Sequence, residues 1–116
     1  VALRAAHQFR PRQAAEAITP DVAEQLTELM RSSERNTYGY NGNNYASKTG
    51  TAEHGEGLAP HTWYVAFDPD KDVAVAVVVK NGGGLGEGAT GGQVSAPIGR
   101  TVLSTAPRAG EEQGGN

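Results

Sequence analysis

Asn44-Tyr45-Ala46-Ser47-Lys48-Thr49-Gly50-Thr51-Ala52-Glu53-His54-Gly55 reads as a strand ending in a turn, and the rest of the chain arranges itself around it. In an extended segment successive side chains point to opposite faces, so Ala46, Lys48, Gly50 and Ala52 share one side while Ser47, Thr49 and Thr51 share the other. One side is small and flat around a single ammonium; the other is a row of hydroxyls. At a sheet edge the free N–H and C=O groups of such a strand can add an extended peptide. Gly50 removes a side chain that would block a ligand's approach, Thr49 and Thr51 can donate hydroxyl hydrogens to a carboxylate, and Lys48 supplies positive charge. These residues point to recognition of a peptide with a free C-terminal carboxylate.

The chain has 116 residues, which permits one small domain. With 37% hydrophobic residues and 16 glycines its core is modest. A net charge of -3 with scattered Lys and Arg offers no basic stripe, which argues against nucleic acid as a partner. No run approaches the roughly 20 apolar residues of a membrane helix, and the start at Val1, without a signal-peptide pattern, reads as a segment of something longer. There are no cysteines, which excludes disulfides and thiol catalysis. His7, His54 and His61 without cysteine make no zinc site, and no metal or other cofactor is expected.

Residues 1–18 read as a connector in which Val1-Ala2-Leu3 could end a strand and Arg10-Pro11-Arg12 breaks any helix. Thr19-Pro20-Asp21 starts a helix: Thr19 can cap, Pro20 suits the first helical position, and Asp21 complements the positive end of the dipole. Val22, Leu26, Leu29 and Met30 then recur at helical spacing, with Glu24 and Glu28 on the polar side, so the spacing predicts an amphipathic helix over 20–34 whose stripe is core. Residues 36–44 are a loop in which Asn41-Gly42 favours positive φ. Thr62-Trp63-Tyr64-Val65-Ala66-Phe67 is a strand with Trp63, Val65 and Phe67 on one face. After the turn Asp68-Pro69-Asp70-Lys71-Asp72, the run Val73-Ala74-Val75-Ala76-Val77-Val78-Val79 is a strand apolar on both faces, which calls for cover on both. The two strands form a hairpin, with the motif strand on the outer side of the Trp63 strand. Glycine dominates residues 81–92, and a helix follows over 92–106 with Val94, Ile98, Val102 and Leu103 as its stripe and Pro97 in its first turns. Residues 108–116 form a disordered tail. The order helix, strand, strand, strand, helix gives an α+β class, an antiparallel sheet with helices against it.

Lys48-Thr49-Gly50-Thr51-Ala52-Glu53-His54 resembles the third signature motif of the penicillin-binding proteins and serine β-lactamases. The apolar hairpin and then Gly91-Gly92-Gln93-Val94-Ser95-Ala96-Pro97-Ile98, coming after it in the chain, strengthen the resemblance. The Ala-Glu-His extension is similar to class B penicillin-binding proteins of actinobacteria, and the resemblance covers about residues 18–107. It implies the C-terminal part of the penicillin-binding transpeptidase fold, the N- and C-terminal helices lying on one face of the sheet and an all-helical lobe, outside this chain, on the other. It also implies an acyl-serine D,D-transpeptidase that binds the D-alanyl-D-alanine stem peptide of peptidoglycan and β-lactam antibiotics. Lys48 would hydrogen-bond the serine of an S-x-N motif and lend positive potential to the cleft. Thr49 and Thr51, beside Gly50, would hold the terminal carboxylate, and the Thr51 N–H would be an oxyanion-hole donor. A membrane anchor holding the protein on the extracytoplasmic face, a role in cell wall synthesis and cell shape, and a glycosyltransferase partner of the RodA or FtsW kind are implied by the resemblance alone.

The chain lacks the rest of that machinery. Tyr45, Asp68 and Val77 stand three places before its lysines, Lys48, Lys71 and Lys80, so there is no S-x-x-K, and none of its five serines opens an S-x-N. The nucleophile is expected upstream in the same protein, and this segment alone should be inactive. Glu53, His54 and His61 are read as structural, and Trp63 as a packing residue near the cleft. Gly86-x-Gly88-x-x-Gly91 has the local context of a dinucleotide fingerprint but lacks the second parallel strand and its acidic residue, so it reads as a connector in which Gly91 and Gly92 allow close packing. Two other functions compete: a serine β-lactamase or D,D-carboxypeptidase of the same fold, against which the Ala-Glu-His extension argues, and a non-catalytic module that adds a peptide strand at residues 45–53.

Overall fold

Helix α1, Pro20–Arg35, starts where the sequence places it: the Thr19 side chain accepts from the Val22 N–H, Pro20 opens the first turn and Asp21 lies within it. The computed structural model describes residues 12–111. After α1 come β1 (Ala46–Ala52), β2 (His61–Asp68), β3 (Val73–Val79) and α2 (Gly91–Thr105). The expectations for residues 1–11 and 112–116 lie outside the described residues.

The three strands form one antiparallel sheet in the order β1-β2-β3, so among the described residues the motif strand is an edge strand with β2 as its neighbour, as its position outside the hairpin predicted. The register pairs Ser47 with Ala66, Thr49 with Tyr64 and Thr51 with Thr62; Lys48 lies opposite Val65 and Gly50 opposite Trp63. Directly opposed residues share a face, which sorts the sheet into two. The face carrying Ser47, Thr49, Thr62, Tyr64 and Ala66 receives both helices. The other carries Lys48, Trp63, Val65 and Val78 and stands open, with Trp63 42% exposed.

Tyr64, Ala66, Ala96 and Leu103 form the core, and Tyr45, Val73, Val75 and Val77 pack against it. On β3 the odd-numbered valines are therefore half-buried while Ala74, Ala76 and Val78 are exposed, so one of its two apolar faces has its cover here. Lys71, in the β2–β3 turn, donates to the carbonyls of Leu103, Ser104 and Ala106, satisfying the end of α2 where the dipole is negative.

Two helix stripes differ from their expected burial. In α1, Val22 and Leu26 are half exposed and Leu29 is 69% exposed. The reason is length: α1 reaches the sheet at β1 through its C-terminal end, where Glu34 is fully buried, and no described element covers the turns before it. In α2 the buried face is Gly92, Ser95, Ala96, Gly99, Arg100 and Leu103, rotated from the line of Val94, Ile98 and Val102, and Ile98 is 46% exposed. Small residues win that face because α2 comes down directly on the Tyr64 ring.

Gly99 is where that approach is tightest. A methyl group there would stand 2.3 Å from Tyr64 Cδ1 and 2.6 Å from Cε1. The ring cannot swing away, because it is fully buried and its hydroxyl is held by Glu34. Gly99→Ala is expected to destabilise the protein by about 2 kcal/mol through overpacking. Urea unfolding should show this as a lower midpoint at unchanged slope; an unchanged midpoint would mean that α2 can lift without cost.

Candidate active site

Lys48 projects from β1 onto the open face, exposed, and its Nζ donates to the Thr49 carbonyl at 2.8 Å. Thr49 and Thr51 lie on the opposite face. Thr49 is half-buried beneath the start of α2 and Thr51, near the end of the strand, is exposed. The ammonium and the two threonine side chains thus lie on opposite faces of one strand.

Gly91, the first residue of α2, sits against this strand. A Cβ at Gly91 would come within 2.4 Å of the Trp63 carbonyl oxygen, 2.9 Å of the Gly50 carbonyl oxygen and 3.0 Å of Thr49 Cβ. Only glycine allows that contact, as the sequence suggested for the end of the glycine-rich connector. The connector itself turns through positive φ at Asn81, Gly82 and Gly83, which returns the chain from β3 to α2.

Behind the motif lies a polar cluster. Glu34 is fully buried and its carboxylate accepts four hydrogen bonds: from Arg100 Nε at 2.7 Å, from Asn43 Nδ2 at 2.9 Å, from the Tyr64 hydroxyl at 3.0 Å and from Ser47 Oγ. Arg100, also buried, donates a second bond from Nη1 to the Tyr38 carbonyl and lies over the Tyr64 ring. Burial alone would push the Glu34 carboxyl up, but the bonds from Arg100, Ser47 and Asn43 together with the Arg100 charge outweigh it and hold the group below the ordinary carboxylate range. Tyr64 moves the other way, its burial and the Glu34 charge pushing the phenol well above its usual value.

Glu53 and His54 lie past the end of β1. His54 Nε2 meets the Ala59 carbonyl at 2.9 Å, and its ring stacks on His61 with centroids 4.1 Å apart. His61 Nδ1 accepts from the Asn81 N–H. The two imidazoles tie the loop after the motif strand to the start of β2 and to the connector. Among the described residues no three His, Cys, Asp or Glu side chains gather as metal ligands, and no helix is long and apolar enough to cross a membrane.

The model of the penicillin-binding protein transpeptidase domain matches residues 2–104. The chain belongs to that transpeptidase family. It is 47% identical over 108 residues to the peptidoglycan D,D-transpeptidase PbpA of Mycolicibacterium smegmatis, a match that covers 86% of this chain and 22% of that protein. It is 48% identical over 98 residues to the peptidoglycan D,D-transpeptidase PbpA of Mycobacterium tuberculosis, covering 78% of this chain and 20% of the relative. The chain therefore spans about a fifth of the length of the transpeptidases it matches. No solved structure matches it. The two helices and three-stranded antiparallel sheet are the α+β arrangement expected of this part of the family's domain.

Nothing in the local sequence marks Glu34 and Arg100 as partners. A charged residue at either position reads as solvated, and 66 positions separate the pair. Helical phase was the available signal. Glu34 continues the line of Leu26 and Met30 at four-residue steps, and Arg100 falls between Ala96 and Leu103 on the buried side of α2.

Proposed function

We propose that this chain is the C-terminal part of the transpeptidase domain of a class B penicillin-binding protein, an acyl-serine D,D-transpeptidase that cross-links peptidoglycan on the extracytoplasmic face of the cell membrane. The observation that carries this reading is the edge strand. In a chain of the transpeptidase family, β1 presents Lys48 on one side of a free backbone edge and Thr49 and Thr51 on the other.

A stem peptide ending in D-alanyl-D-alanine, laid along that edge, adds as a strand to β1. Its terminal carboxylate meets the hydroxyls of Thr49 and Thr51, Gly50 leaves room between them, and Lys48 lends the cleft positive potential and holds the serine of an upstream S-x-N motif. The Thr51 N–H points at the oxyanion that forms when the upstream nucleophilic serine attacks the penultimate carbonyl, a place where one backbone donor supplies a few kcal/mol. D-Alanine leaves, and an amine of a neighbouring stem peptide resolves the acyl-enzyme. β-Lactams enter the same cleft and remain attached. The relatives' description as D,D-transpeptidases favours this over a β-lactamase or carboxypeptidase. The upstream half of the protein, a membrane anchor, a glycosyltransferase of the RodA or FtsW kind and a role in cell shape complete the reading.

The test is an intact mass spectrum of the full-length protein with and without excess benzylpenicillin. A single adduct is expected, and peptide mapping should place it on a serine upstream of this segment. An adduct within residues 1–116 would refute the upstream nucleophile, and a protein left unmodified would refute the transpeptidase reading.

A further inference from the structure

We infer that Glu34 is a positioning residue for the Lys48 motif: its buried carboxylate holds Ser47, the residue before Lys48, and so sets where the motif strand stands against both helices. This rests on the transpeptidase reading above and adds to it a residue outside the motif.

An ionised carboxylate offers about four lone-pair directions, and in Glu34 all are taken by donors from different parts of the fold. Arg100 comes from α2, Tyr64 from β2, Ser47 from β1 and Asn43 from the loop between α1 and β1. Asn43 also accepts the Tyr45 N–H through Oδ1 at 2.9 Å, so the hub fixes the entry to β1 as well. Among the described residues β1 is an edge strand, its ladder made on one side, and within them its pose comes from β2 and from what touches its back face. That back face is held at two places. Ser47 is bound by Glu34 from α1, and Thr49 and Gly50 are met by Gly91 from α2. Lys48 stands between these two contacts on the opposite face, so a roll of the strand about its axis moves the ammonium and both threonine hydroxyls together.

Stability alone does not account for such a hub. A buried ion pair contributes no more than well-packed apolar side chains of the same volume would, and what distinguishes this one is its place directly behind the motif. Precise placement carries a large kinetic weight, since a misplacement of about 1 Å can cost a hundredfold in rate.

Ser47→Ala is the cleanest probe, because it cuts the link to β1 and leaves Arg100, Tyr64 and Asn43 on the carboxylate. In the full-length protein, saturation of the acylation rate with a chromogenic cephalosporin separates reversible binding from the acylation step. Ser47→Ala is expected to slow acylation about tenfold per folded molecule, with reversible binding changed less than about twofold. Glu34→Gln should slow the same step at least as much, and the double variant should be no slower than Glu34→Gln alone, because both changes cut one link. A purely structural hub would lower the melting temperature and leave the rate per folded molecule at the wild-type value; that result in Ser47→Ala, or additive losses in the double variant, overturns the inference. Should Glu34→Gln fail to fold, Ser47→Ala decides alone. A wild-type protein that the cephalosporin does not acylate would instead overturn the transpeptidase reading, and this inference with it.

Discussion

Lys48→Ala is expected to slow acylation of the full-length protein by penicillin on the order of a hundred- to a thousandfold while leaving the fold intact. The stability half of that expectation follows from exposure. Lys48 stands on the open face of β1, its Nζ donates to the carbonyl of its own neighbour, Thr49, and among the described residues no carboxylate pairs with it. Removing such a side chain changes folding free energy by less than about 0.5 kcal/mol. The kinetic half follows from the proposed role. A cation beside a serine and a developing oxyanion acts in a site from which ligand excludes water, and a thousandfold loss corresponds to about 4 kcal/mol of transition-state stabilisation. Thermal melts and second-order acylation constants of the two proteins separate the halves. If the variant melts like the wild type, no longer acylates, and still binds a D-alanyl-D-alanine peptide as tightly, the edge strand is a generic peptide-adding surface and the role given to Lys48 in binding is wrong.

How much of this was legible in the sequence depends on which interaction carried each feature. Elements written in local chemistry were readable: Thr19 and Pro20 at the helix start, the Asp-rich turn between two apolar strands, and the motif strand outside the hairpin all stand where the residues placed them. Gly91 was readable too, as a glycine allowing close packing. The partners it approaches, the carbonyls of Trp63 and Gly50, required the register of β1 on β2. Orientation was less legible. Hydropathy placed the α2 stripe on Val94, Ile98, Val102 and Leu103; Leu103 is buried as placed, but the rest of the buried side is the one small enough to meet Tyr64, so steric fit more than apolarity chose the face. The apolar stripe of α1 is real in the sequence, but its cover is not among the described residues. The Glu34 cluster was the least legible of all, because its four partners come from four separate parts of the chain and polarity argues against burying any of them.

Arg100→Leu tests that cluster from its other end and is expected to destabilise the protein by about 3–5 kcal/mol at neutral pH. The wild-type pair is desolvated, with Arg100 Nε 2.7 Å from Glu34 Oε1 and both side chains buried. Leucine fills part of the volume but strands the carboxylate with neutral donors only, and an uncompensated buried charge is the expensive outcome. Its dependence on pH gives the cause a signature. In the wild type the Glu34 carboxyl lies below its ordinary value. Its ionised form therefore contributes stability that is fully present above the unfolded-state pKa, about 4.3, and is lost as pH falls through the folded value. Without Arg100 the burial that already pushes this carboxyl up is opposed only by neutral donors such as Ser47 and Asn43, and the folded value is expected to rise above the ordinary one, which reverses the sign. The folded variant takes up a proton that the unfolded chain releases, so its stability relative to neutral pH is fully present below the unfolded pKa and declines as pH rises through the raised folded one. The gap between the two proteins should be widest at neutral pH and narrow steadily toward acid, and urea midpoints measured from pH 7.5 down to pH 4.5 will show it. Glu34→Leu combined with Arg100→Leu should recover much of the loss, because an apolar pair leaves no charge to strand. A gap that stays constant across that range would mean that the penalty is lost packing over the Tyr64 ring and not a stranded carboxylate.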